Sequence, residues 1–258
     1  MIKEAATIIS QEEIAKDVFS LWMKTTIAKT AKAGQFISLF TKDGSKLLPR
    51  PISICEIYKL AGLLRIVYRV TGNDTGTKQF SRLENGDAIQ VLGPLGNGFP
   101  IIDEEGKEIL LIGGGIGVPP LLQLQKEFKK ADVRAAMGYK DEVFLREDFE
   151  ESGDLIVATE DGSVGIQGNV MDLLAWHFNR PDLIYACGPA PMLRALKEYA
   201  SRHSIPLYIS MEEKMACGIG ACLGCVCKSA SKDGQEHPQW KKICKDGPVF
   251  LASEVDLG

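Results

Sequence analysis

No stretch of this chain is long and apolar enough to cross a membrane. The longest apolar run, Ile109 to Leu122, is short of the roughly 20 residues a spanning helix needs, and Gly113, Gly114, Gly115, Gly117, Pro119 and Pro120 interrupt it. The N-terminal segment carries Lys3, Glu4, Glu12 and Glu13 where a signal peptide would have an apolar core, so a cytoplasmic protein is expected. An excess of positive charge is also missing. The net charge is −4, which gives no support for nucleic-acid binding. Histidine is scarce: His177, His203 and His237 sit in polar or helical surroundings and read as surface residues. No Ser/His/Asp set or paired carboxylates argue for a hydrolase, and no repeat or low-complexity segment is visible. The remaining composition, 45% hydrophobic and 25% charged over 258 residues, fits one large or two to three small globular domains.

Cysteine is present in an informative pattern. Five of the seven cysteines lie from Cys217 onward. Cys217, Cys222 and Cys225 read Cys-x4-Cys-x2-Cys, with Cys244 downstream, which is the plant-type spacing for a 2Fe–2S cluster. Gly218, Gly220, Ala221 and Gly224 separate them. A loop around an inorganic cluster must aim backbone N–H groups at sulfur and take positive φ, and glycine permits both. Zinc is the competing ligand. A zinc ribbon would bring a second Cys-x2-Cys pair, and the distal side has only Cys244. Cys227 could stand in for Cys225 as a ligand. The odd cysteine count and the absence of a secretory segment argue against disulfides.

The chain reads as three blocks: 1–101, 102–210 and 211–258. In the first, Gln35–Phe40, Leu64–Val70 and Asp87–Leu92 alternate, with turn residues at Lys42–Ser45, Gly72–Asp74 and Asn85–Asp87. Short strands at this spacing suggest an antiparallel β-barrel. A short helix is expected over Gln79–Leu83. In the second block, apolar strands at Glu108–Gly113, Val133–Met137, Leu155–Thr159, Leu183–Cys187 and Leu207–Ile209 alternate with helices at Pro119–Lys130, Gly168–Phe178 and Ala190–His203. That alternation implies an α/β domain with a parallel sheet. The third block is the cysteine-rich tail.

Gly113-Gly114-Gly115-Ile116-Gly117 lies where a strand gives way to a helix, a place where backbone can approach a pyrophosphate. Cys187-Gly188-Pro189 opens another helix after another strand, so both turns would border one crevice. Arg50-Pro51-Ile52-Ser53 closes a strand candidate in the first block. Its Arg supplies a fork for phosphate and its Ser a small polar group beside a ring nitrogen. Gly76 and Thr77 could add a backbone N–H and a hydroxyl to the same diphosphate. Taken singly, Arg50 reads as a solvated charge and Gly76-Thr77 as a turn. Glu160-Asp161 follows a strand. Acidic groups there accept hydrogen bonds from ribose hydroxyls and repel a 2′-phosphate, which favours NAD over NADP and makes Asp161 a candidate contact, a solvated turn being the alternative.

Together these motifs resemble the ferredoxin-reductase-type flavoproteins. With Ile209–Met215, Gly93–Phe99 and Asp246–Phe250, the whole chain resembles the electron-transfer subunits of type B dihydroorotate dehydrogenase. The resemblance implies FAD at Arg50, Pro51, Ile52 and Ser53, at Val67, Tyr68 and Arg69, and at Gly76 and Thr77. It also implies a 2Fe–2S cluster on Cys217, Cys222, Cys225 and Cys244. Many relatives carry an aromatic residue at the position of Ile52, so Tyr68 becomes the candidate for flavin contact. The implied partner is an FMN-containing dihydroorotate dehydrogenase catalytic subunit, in a heterotetramer of two of each. Electrons would pass from that FMN through the cluster and FAD to NAD, in pyrimidine biosynthesis. Two other classes share some of these motifs: a reductase subunit serving a hydrogenase, oxygenase or ferredoxin, and a redox sensor without hydride exchange.

Overall fold

The computed structural model describes residues 1–178, 180–232 and 238–258; His237 lies outside them. Six strands occupy the first block: β1 (Ile2–Ala15), β2 (Val18–Lys24), β3 (Phe36–Phe40), β4 (Arg50–Tyr58), β5 (Leu63–Arg69) and β6 (Ala88–Leu95). They close in the order β1-β2-β5-β4-β3-β6, every pair antiparallel. Alternation turns one side of each strand inward, and Ile8, Leu21, Ile37, Ile54, Ile66 and Val91 fill the barrel with no solvent exposure. The short helix α1 (Gly76–Phe80) starts three positions before the expected Gln79. Thr75 explains the shift, because its side chain accepts a hydrogen bond from the Lys78 N–H and caps the first turn. Arg50–Ser53 opens β4 rather than closing a strand. Pro51 has no N–H for the ladder and is tolerated near a strand start.

The second block forms β7 (Glu108–Gly114), α2 (Pro119–Glu127), β8 (Asp132–Tyr139), α3 (Arg146–Glu150), β9 (Asp154–Thr159), β10 (Ile166–Gln167), α4 (Val170–His177), β11 (Leu183–Cys187), α5 (Ala190–His203) and β12 (Leu207–Ser210). α2 ends before the expected Lys130. The Asp103 carboxylate accepts the N–H groups of Lys129, Lys130 and Ala131 at 2.9–3.0 Å, drawing them out of the helical ladder. Strands β7 to β12 are parallel, and α2 and α3 cover one face while α4 and α5 cover the other. The chain builds outward from β7 to β10, then returns to place β11 on the other side of β7. This makes β7 and β11 the topological switch point of the sheet.

The tail folds as β13 (Val226–Lys232), β14 (Pro238–Lys242), α6 (Ile243–Asp246) and β15 (Val249–Leu251). β15 pairs antiparallel with β12, so the tail supplies the last strand of the nucleotide-domain sheet. Cys225, Cys227, Ile243 and Cys244 join the apolar core on the α4–α5 face of that sheet.

A buried charged joint ties the barrel to the second domain. Glu56 on β4 pairs with Arg65 at 2.7 Å and with Lys126 of α2, and Arg65 also reaches Asp148 of α3 at 2.5 Å. The Ile57 N–H donates to the Gln123 side chain of α2 at 2.7 Å. Every charge here has a partner, which a buried ionic group requires. The joint holds one edge of the interface and leaves the opposite edge open as a cleft.

Candidate functional site

The cleft has about 280 Å³ of free volume, and its walls come from all three blocks. The barrel contributes Arg50, Pro51, Ile52, Ser53, Val67, Tyr68, Arg69 and Thr77, which the sequence singles out, together with Phe36 and Thr71. These residues meet because β4 and β5 are antiparallel neighbours and α1 follows β5 directly. Arg50 lies against α1: a Cβ on Gly76 would stand 2.6 Å from its Nε. The bare Gly76 therefore lets the Arg50 guanidinium lie directly on the start of α1. Arg50 also donates to the Leu48 carbonyl.

Tyr68 has another attachment. Its hydroxyl donates to Gln11 Oε1 at 2.8 Å, and its ring stacks on Phe19 with centroids 5.8 Å apart. Burial pushes its phenol above the usual range. Tyr68 is therefore fixed by the barrel and offers the cleft part of its ring surface, beside aliphatic Ile52.

The two glycine turns lie side by side at the carboxyl ends of β7 and β11. A Cβ on Gly117 would be 2.5 Å from the Cys187 carbonyl oxygen, and one on Gly114 would be 2.7 Å from the Met192 sulfur. A Cβ on Gly113 would meet the Met137 sulfur at 2.5 Å, and one on Gly188 would meet the Met192 methyl. Their smallness thus lets the turns and helices pack on one another. Gly115 differs, with φ +53° and open space where a Cβ would be. Ile116 and Pro119 continue this turn into the cleft wall, and Pro189, exposed, begins α5. Cys187 is fully buried, and burial with nearby Glu212 pushes its thiol well up.

Asp161 stands at the carboxyl end of β9, away from the cleft-lining residues. Its carboxylate accepts from the Ser163 N–H at 3.0 Å and hydroxyl at 2.7 Å, which holds it below the usual range. The exposed His177 and His203 lie at the ends of α4 and α5.

Sequence reasoning gave no role to Met211, Glu212, Glu213, Met215 or Pro248, which also line the cleft. The paired acids beside apolar neighbours between β12 and the cysteine loop were the available signal. Glu212 is open to solvent through the cleft while protein crowds its other sides, and that crowding raises its carboxyl.

The cysteine loop is seated beside the cleft. A Cβ on Gly218 would be 3.2 Å from Ser38 Oγ of β3. The Asn97 N–H donates to the Gly247 carbonyl, and its amide donates to the Asp246 carbonyl at 3.0 Å, so the barrel turn after β6 anchors the tail. The four thiols fall into two pairs. Cys217 and Cys222 sulfurs are 3.2 Å apart, and Cys225 and Cys244 are joined by the Cys244 N–H, which donates to the Cys225 sulfur at 3.4 Å. Backbone donors aim at all four: Cys222 N–H at Cys217, Gly224 N–H at Cys222, Cys244 N–H at Cys225 and Gly220 N–H at Cys244, over 3.1–3.5 Å. The Cys222 N–H, with the Ile219 N–H, pulls the Cys217 thiol down to about 6. Among the described residues, no three His, Cys, Asp or Glu side chains are grouped for a single metal ion. Two thiolate pairs with amide donors fit a two-iron core better than one tetrahedral zinc. Cys227 is buried on β13 and points to the sheet-facing side of the hairpin.

A barrel, a parallel nucleotide sheet and a cleft between them define a ferredoxin-reductase-type fold. The chain superposes on an NADH-dependent reduced ferredoxin–NADP oxidoreductase with a TM-score of 0.86 at 29% identity, covering 98% of this chain and 90% of that one. The ferredoxin–NADP reductase of Neisseria gonorrhoeae shares the fold, with a TM-score of 0.62 at 16% identity over 78% and 91% of the two chains. Residues 212–256 match the family model described as the iron–sulfur cluster binding domain of dihydroorotate dehydrogenase B. The chain is 41% identical to the dihydroorotate dehydrogenase B (NAD(+)) electron transfer subunit of Caldanaerobacter subterraneus subsp. tengcongensis, over 98% of each. It is 45% identical to that of Listeria innocua, over 100% of each. The chain belongs to the family of dihydroorotate dehydrogenase B electron transfer subunits.

Proposed function

We propose that this chain takes single electrons from an FMN-containing catalytic subunit that oxidises dihydroorotate, and delivers them as pairs to NAD. It would do so in the cytoplasm, for pyrimidine biosynthesis, in a heterotetramer of two of each subunit. The observation that carries the reading is the seating of the cysteine loop against the cleft. Met215, two residues before Cys217, lines the cleft that also holds Arg50, Ser53 and Thr77. The bound groups would supply one-electron chemistry at the 2Fe–2S cluster, one- and two-electron states at FAD, and hydride acceptance at NAD.

The residues divide this work by their chemistry. Cys217, Cys222, Cys225 and Cys244 would hold the irons while the loop amides offset thiolate charge. Arg50 and the Gly76–Thr77 end of α1 would bind the diphosphate of FAD. Ile52, Ser53, Val67, Tyr68 and Arg69 would flank its ring. The Gly113–Gly117 and Cys187–Pro189 turns, at the switch point, would receive the nicotinamide nucleotide, with Asp161 toward its adenosine end. Ion-paired Glu56, Arg65 and Asp148 would hold the two walls in register.

The test is reconstitution with the FMN subunit from the same organism, followed by gel filtration and a dihydroorotate–NAD assay. The isolated chain is expected to hold FAD, two irons and two sulfides, and to reduce dyes with NADH far faster than with NADPH. Dihydroorotate oxidation is expected only in the complex. Turnover by the isolated chain would overturn the division of labour. A stable complex with a hydrogenase, oxygenase or ferredoxin instead would favour the sister-reductase reading, to which the ferredoxin–NADP oxidoreductase likeness lends some weight.

A further inference from the structure

Strand β1 carries a polar side chain whose direction is set by a bulge. Ile8 stands opposite Met23 of β2 and Ser10 opposite Trp22, so β1 uses two residues where β2 uses one. In a regular strand side chains alternate, and Gln11 would point away from the face that Ile8 fills. The extra residue, Ile9, reverses this. Gln11 stands opposite Leu21, which is fully buried in the barrel, and so shares the inward face. A half-buried polar group on that face needs partners.

Gln11 has three. Its amide nitrogen donates to the Phe80 carbonyl at 3.0 Å and the Leu83 carbonyl at 3.1 Å, and its oxygen accepts from the Tyr68 hydroxyl at 2.8 Å. Both amide protons are engaged, and no other side chain offers two donors and an acceptor on one small head. Phe80 ends α1, and Leu83 lies in the turn that follows, its N–H on the Phe80 carbonyl. Carbonyls at a helix end lack donors from the helix itself, and Gln11 supplies them. One side chain of β1 thus joins β5 to the exit of α1. Val67, Tyr68 and Arg69 of β5 and Thr77 of α1 all line the cleft, whereas Gln11 stands behind its wall.

We propose that Gln11 is a positioning residue for the flavin: by holding the exit of α1 against Tyr68, it fixes where Gly76 and Thr77 stand relative to the β5 wall. The inference rests on the FAD reading above, in which those two places take the diphosphate and the ring. α1 has only five residues, too few for a helix to hold its own place. Its start is capped by Thr75, and Gln79 bonds Asp43 at 2.9 Å. Its end is held by Phe80 in the barrel core and by Gln11. Apolar packing is non-directional, whereas two hydrogen bonds from one amide fix the height and rotation of the last turn. With that turn fixed in advance, FAD does not have to order it on binding.

The experiment measures FAD affinity of the full chain, from flavin fluorescence on dilution, together with Tm. Gln11→Glu keeps an acceptor for Tyr68 but sets oxygens against both carbonyls, and is expected to weaken FAD binding about tenfold. Gln11→Met, similar in volume and uncharged, is expected to show the same loss, which separates missing donors from repulsion and carries the test if the Glu variant does not fold. Tyr68→Phe leaves both donors in place and is expected to cost about threefold. Ile8→Val is the structural control. It thins the barrel core on the same strand, lowers Tm and is expected to leave FAD affinity at the wild-type value. Gln11 variants that lose Tm as Ile8→Val does, yet bind FAD as tightly as wild type, would overturn the inference while leaving the functional reading intact. A wild-type chain that binds no FAD would overturn that reading and this inference with it.

Discussion

Two glycine-rich loops of this chain look alike as strings and use glycine for different reasons. In the turn after β7, glycine supplies space. A Cβ on Gly117 would collide with the backbone of Cys187 and Gly188 at 2.5–2.6 Å, so the turns after β7 and β11 can adjoin only without it. In the cysteine loop, glycine supplies conformation. Gly218 and Gly220 take φ of +67° and +83°, which swings backbone amides inward, and the Gly220 N–H lands on the Cys244 sulfur at 3.1 Å. The first loop is built by close approach at all its glycines but Gly115, and the second by the sign of φ. A substitution that adds only a methyl group separates the two causes.

The largest effect is expected at the thiols themselves. Cys222→Ser is expected to abolish the cluster, whereas Cys227→Ser, outside the two sulfur pairs, keeps iron content and visible absorption. Iron loss in the Cys227 variant would show that the pairing is misassigned. Next comes Gly117→Ala, where the obstacle is backbone that cannot move aside. A loss of about 3 kcal/mol in denaturant unfolding is expected from such overpacking. Gly115→Ala in the same turn meets no atoms and carries only left-handed strain, so about 1 kcal/mol is expected. Equal losses at the two positions would dissolve the distinction between space and conformation.

Gly220→Ala tests the other loop. The stem of Lys245 can yield to the methyl group, which leaves a strain of about 1–2 kcal/mol. The more specific readout is an altered visible circular dichroism of the cluster, because the amide aimed at Cys244 moves. An unchanged spectrum with reduced stability would mean that the loop amides do not tune the cluster.

The smallest effect is expected at Glu212, where the cleft meets the cysteine segment. The side chain is exposed to solvent, but protein crowded around it raises its carboxyl in the folded chain, so the effect is small. The folded state then binds more protons than the unfolded one above about pH 4.3, so stability falls as pH rises through the folded value. Glu212→Gln removes that loss. Its Tm is expected to match wild type below about pH 4 and to exceed it increasingly toward neutrality. A gain that is largest in acid would reverse the sign and refute the assignment.

Legibility in the sequence followed the strength of each local signal. β11 and α5 have the bounds that periodicity suggests, because Leu183–Cys187 is wholly apolar and Ala190–His203 is strongly amphipathic. β1 was missed: more than half of its residues face solvent, and Glu12 and Glu13 blur the alternation. The ends of α1 and α2 were misplaced because single side chains, Thr75 and Asp103, captured backbone N–H groups. The barrel part of the cleft was legible as motifs. Glu212 and Pro248 were not, because they reach it only when the tail folds back against Asn97 and β12.

By itself the sequence determined the chemistry this protein can carry. Cysteine spacing, glycine runs and an Arg-Pro-x-Ser stretch are local patterns, and metal ligation and phosphate binding depend on local patterns. The tertiary structure alone decided which patterns share a wall. It drew β15 onto the nucleotide sheet, joined the barrel to α2 and α3 through Glu56 and Arg65, and left Trp240 outside. Those outcomes depend on burial and pairing between residues far apart in the chain, and they arise only when the apolar faces of all three blocks are covered together.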